Sequence, residues 1–271
     1  MPEPHPRSGM VVNSAVANVY GEPAFSAELV TQAVLGERPQ VIDQRGKWYR
    51  VRQWDGYEGW LYYFYMIKNP EFLVEVESVT VTAAVAPIRM QPADDEPVIR
   101  EAVFSCRLPV LDSRDPWVQV ALPDGLTGWL QPTSEQLSGT RRERIVQVAR
   151  QFLGAPYFWG GKTPKGFDCS GLVQTCFKAL GVDLPRNSGG QHRFQDLPAV
   201  ELGAAQPGDL LFFSESDGEV SHVGIATGGG GIIHSSGWVK EESLDPDSPA
   251  YNHLLRSIFL QGRDTSELLH E

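Results

Sequence analysis

The chain has 271 residues, 41% of them hydrophobic, and a formal net charge of −11; this allows a sizeable core and more than one domain. An acidic balance without a basic stripe argues against nucleic acid as a partner and gives no hold on an anionic membrane surface. No apolar run approaches the ~18 residues of a membrane span, and the three cysteines, Cys106, Cys169 and Cys176, are no disulfide framework.

The first stretch, "MPEPHPRSGMVVNSAVANVY", lacks the charged-then-apolar pattern of a secretory signal. The expectation is a soluble, reduced, cytoplasmic protein. From about Val11 to Lys68 the text is strand-like: "KWYRVRQ" alternates, "WDGYEGW" is a turn, and the residues after it begin another strand. From about Glu77 to Pro132 the same cadence returns. "VANVYGEP" corresponds to "TAAVAPIRMQP", "PQVIDQRGKWYRVRQ" to "LPVLDSRDPWVQVAL", and "DGYEGWL" to "DGLTGWL". This ordered correspondence reads as a tandem duplication of a small barrel of five to six strands.

The texture then changes. "SEQLSGTRRERIVQVARQFLGAPY" opens a helix with Ile145, Val148, Ala149 and Phe152 on one face. In "KGFDCSGLVQTCFKALGVDLPR" the residues Leu172, Val173, Cys176, Phe177 and Leu180 mark a second helix, stopped by Gly181, with Asp168 as N-cap. Strands follow at "GDLLFF" and "SHVGIAT", so the chain from about residue 140 is an α+β unit.

Cys169 falls in the first turn of the second helix, where free N–H groups and the helix dipole favour an anion. A thiol there tends to ionise below its free pKa of about 8.5. Cys176 fits a buried helix position instead. A nucleophilic cysteine needs a base and an orienter. His222 and His234 flank "TGGGG", and a hairpin through those glycines brings their imidazoles near one another. His5 and His270 are terminal, and His192 and His253 read as ordinary surface residues. Cys169, His222 and His234 are also able zinc ligands, but CxxC, HxxxH and HExxH spacings are missing, so neither metal nor other cofactor is expected. Asp209, at a turn before a strand, reads as a backbone-capping residue.

"FLGAPYFWGGKTPKGFDCSGLVQTCFKALGVDLPRNSGGQ", then "QPGDLLFF" and "SHVGIATGGGGIIHSS", resembles the NlpC/P60 cysteine peptidases in content and order over roughly residues 140–262. The two N-terminal repeats resemble bacterial SH3-type domains, and the whole layout is similar to the cytoplasmic γ-D-glutamyl-L-diamino acid endopeptidases of peptidoglycan recycling. The resemblance implies a papain-like α+β peptidase domain at 138–271, preceded by SH3-like barrels at 1–70 and 71–137. It implies Cys169 as nucleophile, His222 as base, His234 as orienter, and Tyr157 with the Cys169 N–H as oxyanion donors. Asp168, Ser170 and Ser188 fall where the family contacts substrate, and Glu28 and Tyr57 match first-barrel residues that hold the free α-amine and close the cleft. The implied substrate is a peptidoglycan stem peptide with a free N-terminal L-Ala. Asn187 departs from the Arg-Asp-Ser often found at 186–188, which puts the contacts around Ser188 in question. Three alternatives remain open: a secreted hydrolase of intact wall peptides, an inactive wall-binding module, and an acyltransferase using the same cysteine.

Overall fold

The alternation in "VANVY" becomes strand β1 (Val16–Tyr20), with Ala17 and Val19 fully buried between half-buried neighbours, the period-2 signature of a sheet with one wet face. The computed structural model describes residues 9–133, 137–215 and 218–270; His5 lies outside them. Contacts divide the chain into two compact units, 1–135 and 136–271.

In the first unit, β1 is followed by β2 (Leu29–Val34), β3 (Gln40–Arg45), β4 (Trp48–Arg52) and β5 (Glu58–Tyr62), in the order β2-β1-β5-β4-β3. The second stretch supplies β6 (Ser78–Thr80), β7 (Val85–Arg89), β8 (Val98–Val103), β9 (Arg107–Arg114), β10 (Trp117–Ala121) and β11 (Thr127–Leu130). Their order, β8-β7-β11-β10-β9-β6, repeats the first sheet strand for strand and adds β6 at one edge. Details repeat as well. Trp60 pairs with Tyr20, and Trp129 with Arg89. Arg45 lies 5.0 Å over the Trp60 ring, and Arg114 lies 4.6 Å over Trp129.

The two sheets are joined through a core. Val12, Ala17, Val19, Ala33, Val51 and Leu61 pack within the first repeat. Val11, Val34 and Leu35, however, pack with Val81, Ile88, Val103 and Leu108 of the second. Gly36, at φ +87, allows this approach, because a Cβ there would strike the Arg107 carbonyl in a backbone region that L residues rarely adopt.

In the second unit, α1 (Arg141–Arg150) starts in a capping box between Thr140 and Glu143, which satisfies two otherwise orphaned N–H groups. Ile145, Val148 and Ala149 bury its inner face, and Phe152 follows in the next turn. Helix α2 (Cys169–Ala179) buries Leu172, Val173, Cys176 and Phe177 completely; each large apolar side chain contributes about 1.5–3 kcal/mol on burial. It ends before Gly181, at φ +78. Helix α3 (Ser188–His192) precedes β12 (Ala199–Val200), β13 (Leu210–Phe213), β14 (His222–Gly228), β15 (Gly231–Ser236) and β16 (Trp238–Ser243); α4 (His253–Ser257) and β17 (Phe259–Arg263) complete the unit. The antiparallel sheet runs β12-β17-β13-β14-β15-β16, and α2 packs on β14 and β15. Among the described residues, no helix is long and apolar enough to cross a membrane.

Candidate active site

Asp168 caps α2, accepting the Gly171 N–H at 2.6 Å. Its second oxygen accepts Gly160 N–H at 3.0 Å, and Arg186 reaches both oxygens, at 3.0 and 2.6 Å. Ser170 Oγ donates to the same carboxylate at 3.2 Å. Five donors thus converge on one carboxylate, about its full acceptor capacity. A Cβ on Gly171 would collide with the Gly161 carbonyl, so the glycine lets the first turn of α2 sit against the "YFWGGK" loop. Cys169 is therefore fixed by its cap, by its neighbours and by an ion pair.

The electrostatics of that position reverse the sequence expectation. Burial, followed by the Asp168 charge, pushes the Cys169 thiol up to about 11. The backbone N–H groups of Val223 and Ser170 and the Arg186 charge work in the other direction without prevailing. A dry site and an anionic cap outweigh the helix terminus.

Val223 also locates His222, the residue before it in the chain, beside the thiol. The hairpin register sets Ile225 opposite Ile233 and Ala226 opposite Ile232, which leaves Gly224 facing His234 and His222 one diagonal step away. A Cβ on Gly224 would lie 3.0 Å from the His234 Cβ and closer still to Ile232, so that glycine keeps the sheet face open. The two rings meet with His222 Nε2 2.8 Å from His234 Nδ1, nearly perpendicular at 85°. Burial, then the neighbouring His234 and Lys240, pushes His222 down to about 3. His234 is 2% exposed, and burial lowers it also, against the pull of Glu242.

Two residues escape the sequence reading. Glu242 on β16 places Oε2 2.8 Å from His234 Nε2, and Asn252 Nδ2 donates to the same oxygen at 2.8 Å. The signal was the register of β15 on β16, which pairs His234 with Lys240 and so sets residue 242 on the histidine's face. Alternation in "WVKEES" gives no such hint.

Tyr157 donates its N–H to the Gly237 carbonyl at 2.8 Å and forms a parallel bridge with Phe167. Burial, then the Cys169 and Asp168 charges, pushes its phenol up to about 12, so it remains a hydrogen-bond donor. Asn187 caps α3 by accepting Gly190 N–H at 2.7 Å, a task an aspartate would perform equally. Ser188 is thereby held at the start of α3, and Gln191 from the same helix donates to the Ser170 carbonyl at 3.0 Å. Glu28 and Tyr57 belong to the other compact unit; Glu28 precedes β2 and Tyr57 lies in the β4–β5 turn, at one end of the first sheet.

The remaining candidates have other work. Cys176 and Cys106 are fully buried, and burial pushes both thiols up. Asp209, 1% exposed, accepts Gln206 N–H at 2.8 Å and Arg142 at 2.8 Å. His192 meets Gln261 and the Phe212 ring, and His253 is exposed in α4. Among the described residues, no group of three or more His, Cys, Asp or Glu side chains is arranged to hold a metal ion.

Comparison with known proteins bears on this site. Residues 154–256 match the NlpC/P60 family, and residues 19–62 match the bacterial dipeptidyl-peptidase Sh3 domain. The chain is 32% identical over 244 residues to a gamma-D-glutamyl-L-lysine dipeptidyl-peptidase of Bacillus cereus, spanning 83% of this chain and 72% of that one. It is 29% identical over 265 residues to dipeptidyl-peptidase 6 of Lysinibacillus sphaericus, spanning 89% and 93% of the two. The crystal structure of an NlpC/P60 family protein from Bacillus cereus superposes with a TM-score of 0.79 at 26% identity, covering 94% of this chain and 98% of the other.

Proposed function

The chain belongs to the NlpC/P60 family of peptidases, and from that premise we propose that it hydrolyses the amide between γ-D-glutamate and an L-diamino acid in peptidoglycan stem peptides. The observation that carries this reading is a helix-start thiol set against the backbone of Val223, the residue next to a paired histidine. The thiol of Cys169 lies against the backbone of Val223, and the neighbouring His222 is backed by His234 at 2.8 Å.

In this reading the resting pair is thiol and neutral imidazole. His222 takes the Cys169 proton as sulfur attacks the γ-carbonyl, and the resulting oxyanion is held by the Cys169 N–H and the Tyr157 hydroxyl. Collapse gives a thioester, and His222 protonates the departing amine of the diamino acid. Water, deprotonated by the same imidazole, then releases L-Ala-γ-D-Glu and restores the thiol.

A dipeptidyl-peptidase removes an N-terminal dipeptide, and the names of the relatives support a preference for stems with a free L-Ala amine. Glu28 and Asp168, the latter in its ion pair with Arg186, are the proposed charge-assisted partners of that amine; Tyr57 is proposed to close one end of the cleft, and Ser170 and Ser188 to contact the substrate. We read the peptidase fold as papain-like over 138–271 and the repeats at 1–70 and 71–137 as two SH3-like barrels, on the strength of their matching strand order. Free, buried cysteines accord with a reducing, cytoplasmic setting and a role in recycling wall peptides.

The test is mass spectrometry of L-Ala-γ-D-Glu-diamino acid peptides incubated with wild type, Cys169→Ser and Cys176→Ser. Wild type should release L-Ala-γ-D-Glu. Cys169→Ser should lose on the order of 10⁴-fold or more in rate, while Cys176→Ser should stay within a few-fold of wild type. A dead Cys176 variant beside an active Cys169 variant would reverse the assignment.

A further inference from the structure

We propose that Glu242 is a positioning residue that fixes the tautomers of both imidazoles, leaving His222 Nδ1 as the basic nitrogen of the site. The inference rests on the peptidase reading above and deepens it.

An ionised carboxylate only accepts hydrogen bonds. Although burial opposes it, hydrogen bonds from Asn252 and His234 hold the Glu242 carboxyl below the usual carboxylate range. Its Oε2 therefore accepts a hydrogen bond at both of its 2.8 Å contacts, from Asn252 Nδ2–H and from His234 Nε2–H. A neutral His234 with hydrogen on Nε2 has a bare Nδ1. That nitrogen is the one 2.8 Å from His222 Nε2, so His222 must carry its hydrogen on Nε2 and donate. A neutral His222 then has its lone pair on Nδ1, the nitrogen left for the thiol. The direction of every hydrogen bond in the row follows from one oxygen.

When the Cys169 S–H proton passes to Nδ1, the S–H bond breaks and an N–H bond forms, giving thiolate and imidazolium. No proton moves further along the row. The new charge is met by a hydrogen-bonded chain ending in the carboxylate. The charged groups facing this row are Lys240 Nζ, 3.5 Å from Glu242 Oε1, and, around Cys169, Asp168 and Arg186. Lys240 disfavours the imidazolium and Glu242 favours it, so Glu242 acts on charge as well as on tautomer.

Two substitutions separate the two effects. Glu242→Leu removes the acceptor and frees His234 to place hydrogen on Nδ1, which would force the opposite tautomer on His222. Its kcat should fall about 10- to 100-fold with little change in KM, less than the ~10⁴-fold typical when the direct orienter of a catalytic imidazole is changed. Glu242→Gln keeps a carbonyl oxygen for His234 but removes the charge. It should lose less kcat, and the acid limb of its pH profile should move to lower pH, because the imidazolium has lost a stabilising anion. Imidazole ¹⁵N NMR of the substrate-free protein reads the tautomers directly, with His222 Nδ1 unprotonated in wild type and protonated in Glu242→Leu. A folded Glu242→Leu protein with wild-type kcat and unchanged tautomers would overturn the inference. If that variant does not fold, an unmoved acid limb in Glu242→Gln overturns it. Failure of wild type to cleave the stem peptide would sink the function proposed above, yet the NMR readout would still judge Glu242.

Discussion

At Cys169 two local forces compete, and burial wins. The helix start favours a thiolate, and "FDCSG" made that legible from sequence, but the Asp168 cap and the dry surroundings are tertiary facts. With the thiol pushed up to about 11 and His222 pushed down to about 3, neither partner is charged at neutral pH. The sign of the pH dependence follows. Thiolate absorbance in the ultraviolet, taken as wild type minus Cys169→Ser, should be absent at neutral pH and appear only in the alkaline range. Alkylation by iodoacetamide should climb along with it. A plateau of alkylation already in mildly acidic solution would mean a preformed ion pair and contradict the burial argument. The histidines were legible because "TGGGG" announces a hairpin. Glu242 was hidden because its role depends on the β15–β16 register, which no local pattern encodes.

Elements show the same division between local and distant causes. The periodicity of α2, its Asp168 cap and its Gly181 stop are local, and sequence delivers all three. The short α3 is local too, since its Asn187 cap accepts Gly190 N–H from within its own first turn. The partner of Asp168 was out of reach, since Arg186 arrives from beyond the end of the helix. That pair is buried, at 3% exposure for the Arg186 side chain and 12% for Asp168. Arg186→Met would strand a carboxylate among backbone donors, and breaking a buried pair from one side typically costs about 3–5 kcal/mol. Urea unfolding, followed by hydrogen exchange in α2, should register a loss of that size. Asp168→Asn placed in the Arg186→Met background should recover part of it, because the stranded charge is then gone. A loss below about 1 kcal/mol would place the pair in the class of exposed bridges.

For the whole molecule, the repeat in the text shows the existence of two sheets but not their dependence on one another. Corresponding tryptophans and arginines recur because each sheet solves the same packing problem at its β1–β5 or β7–β11 contact. What repetition conceals is the shared core. Leu35 is fully buried, yet its cluster is drawn chiefly from the second repeat, including Val81, Ile88, Ala102 and Leu108. A residue read from the first repeat thus stabilises the second. Small sheets of this size bury little surface by themselves, so the joint core should make residues 9–133 one cooperative unit. Leu35→Ala removes three methyl-sized groups and leaves a cavity, at a typical cost of about 2–5 kcal/mol. If the core is shared, hydrogen exchange should accelerate together in β1, β2, β7 and β8, with a single unfolding step for the unit. Independent repeats would give a different result, in which Leu35→Ala loosens β1 and β2 while β7 and β8 keep wild-type protection. That second pattern would show that the contacts of Leu35 across the repeats carry no cooperativity.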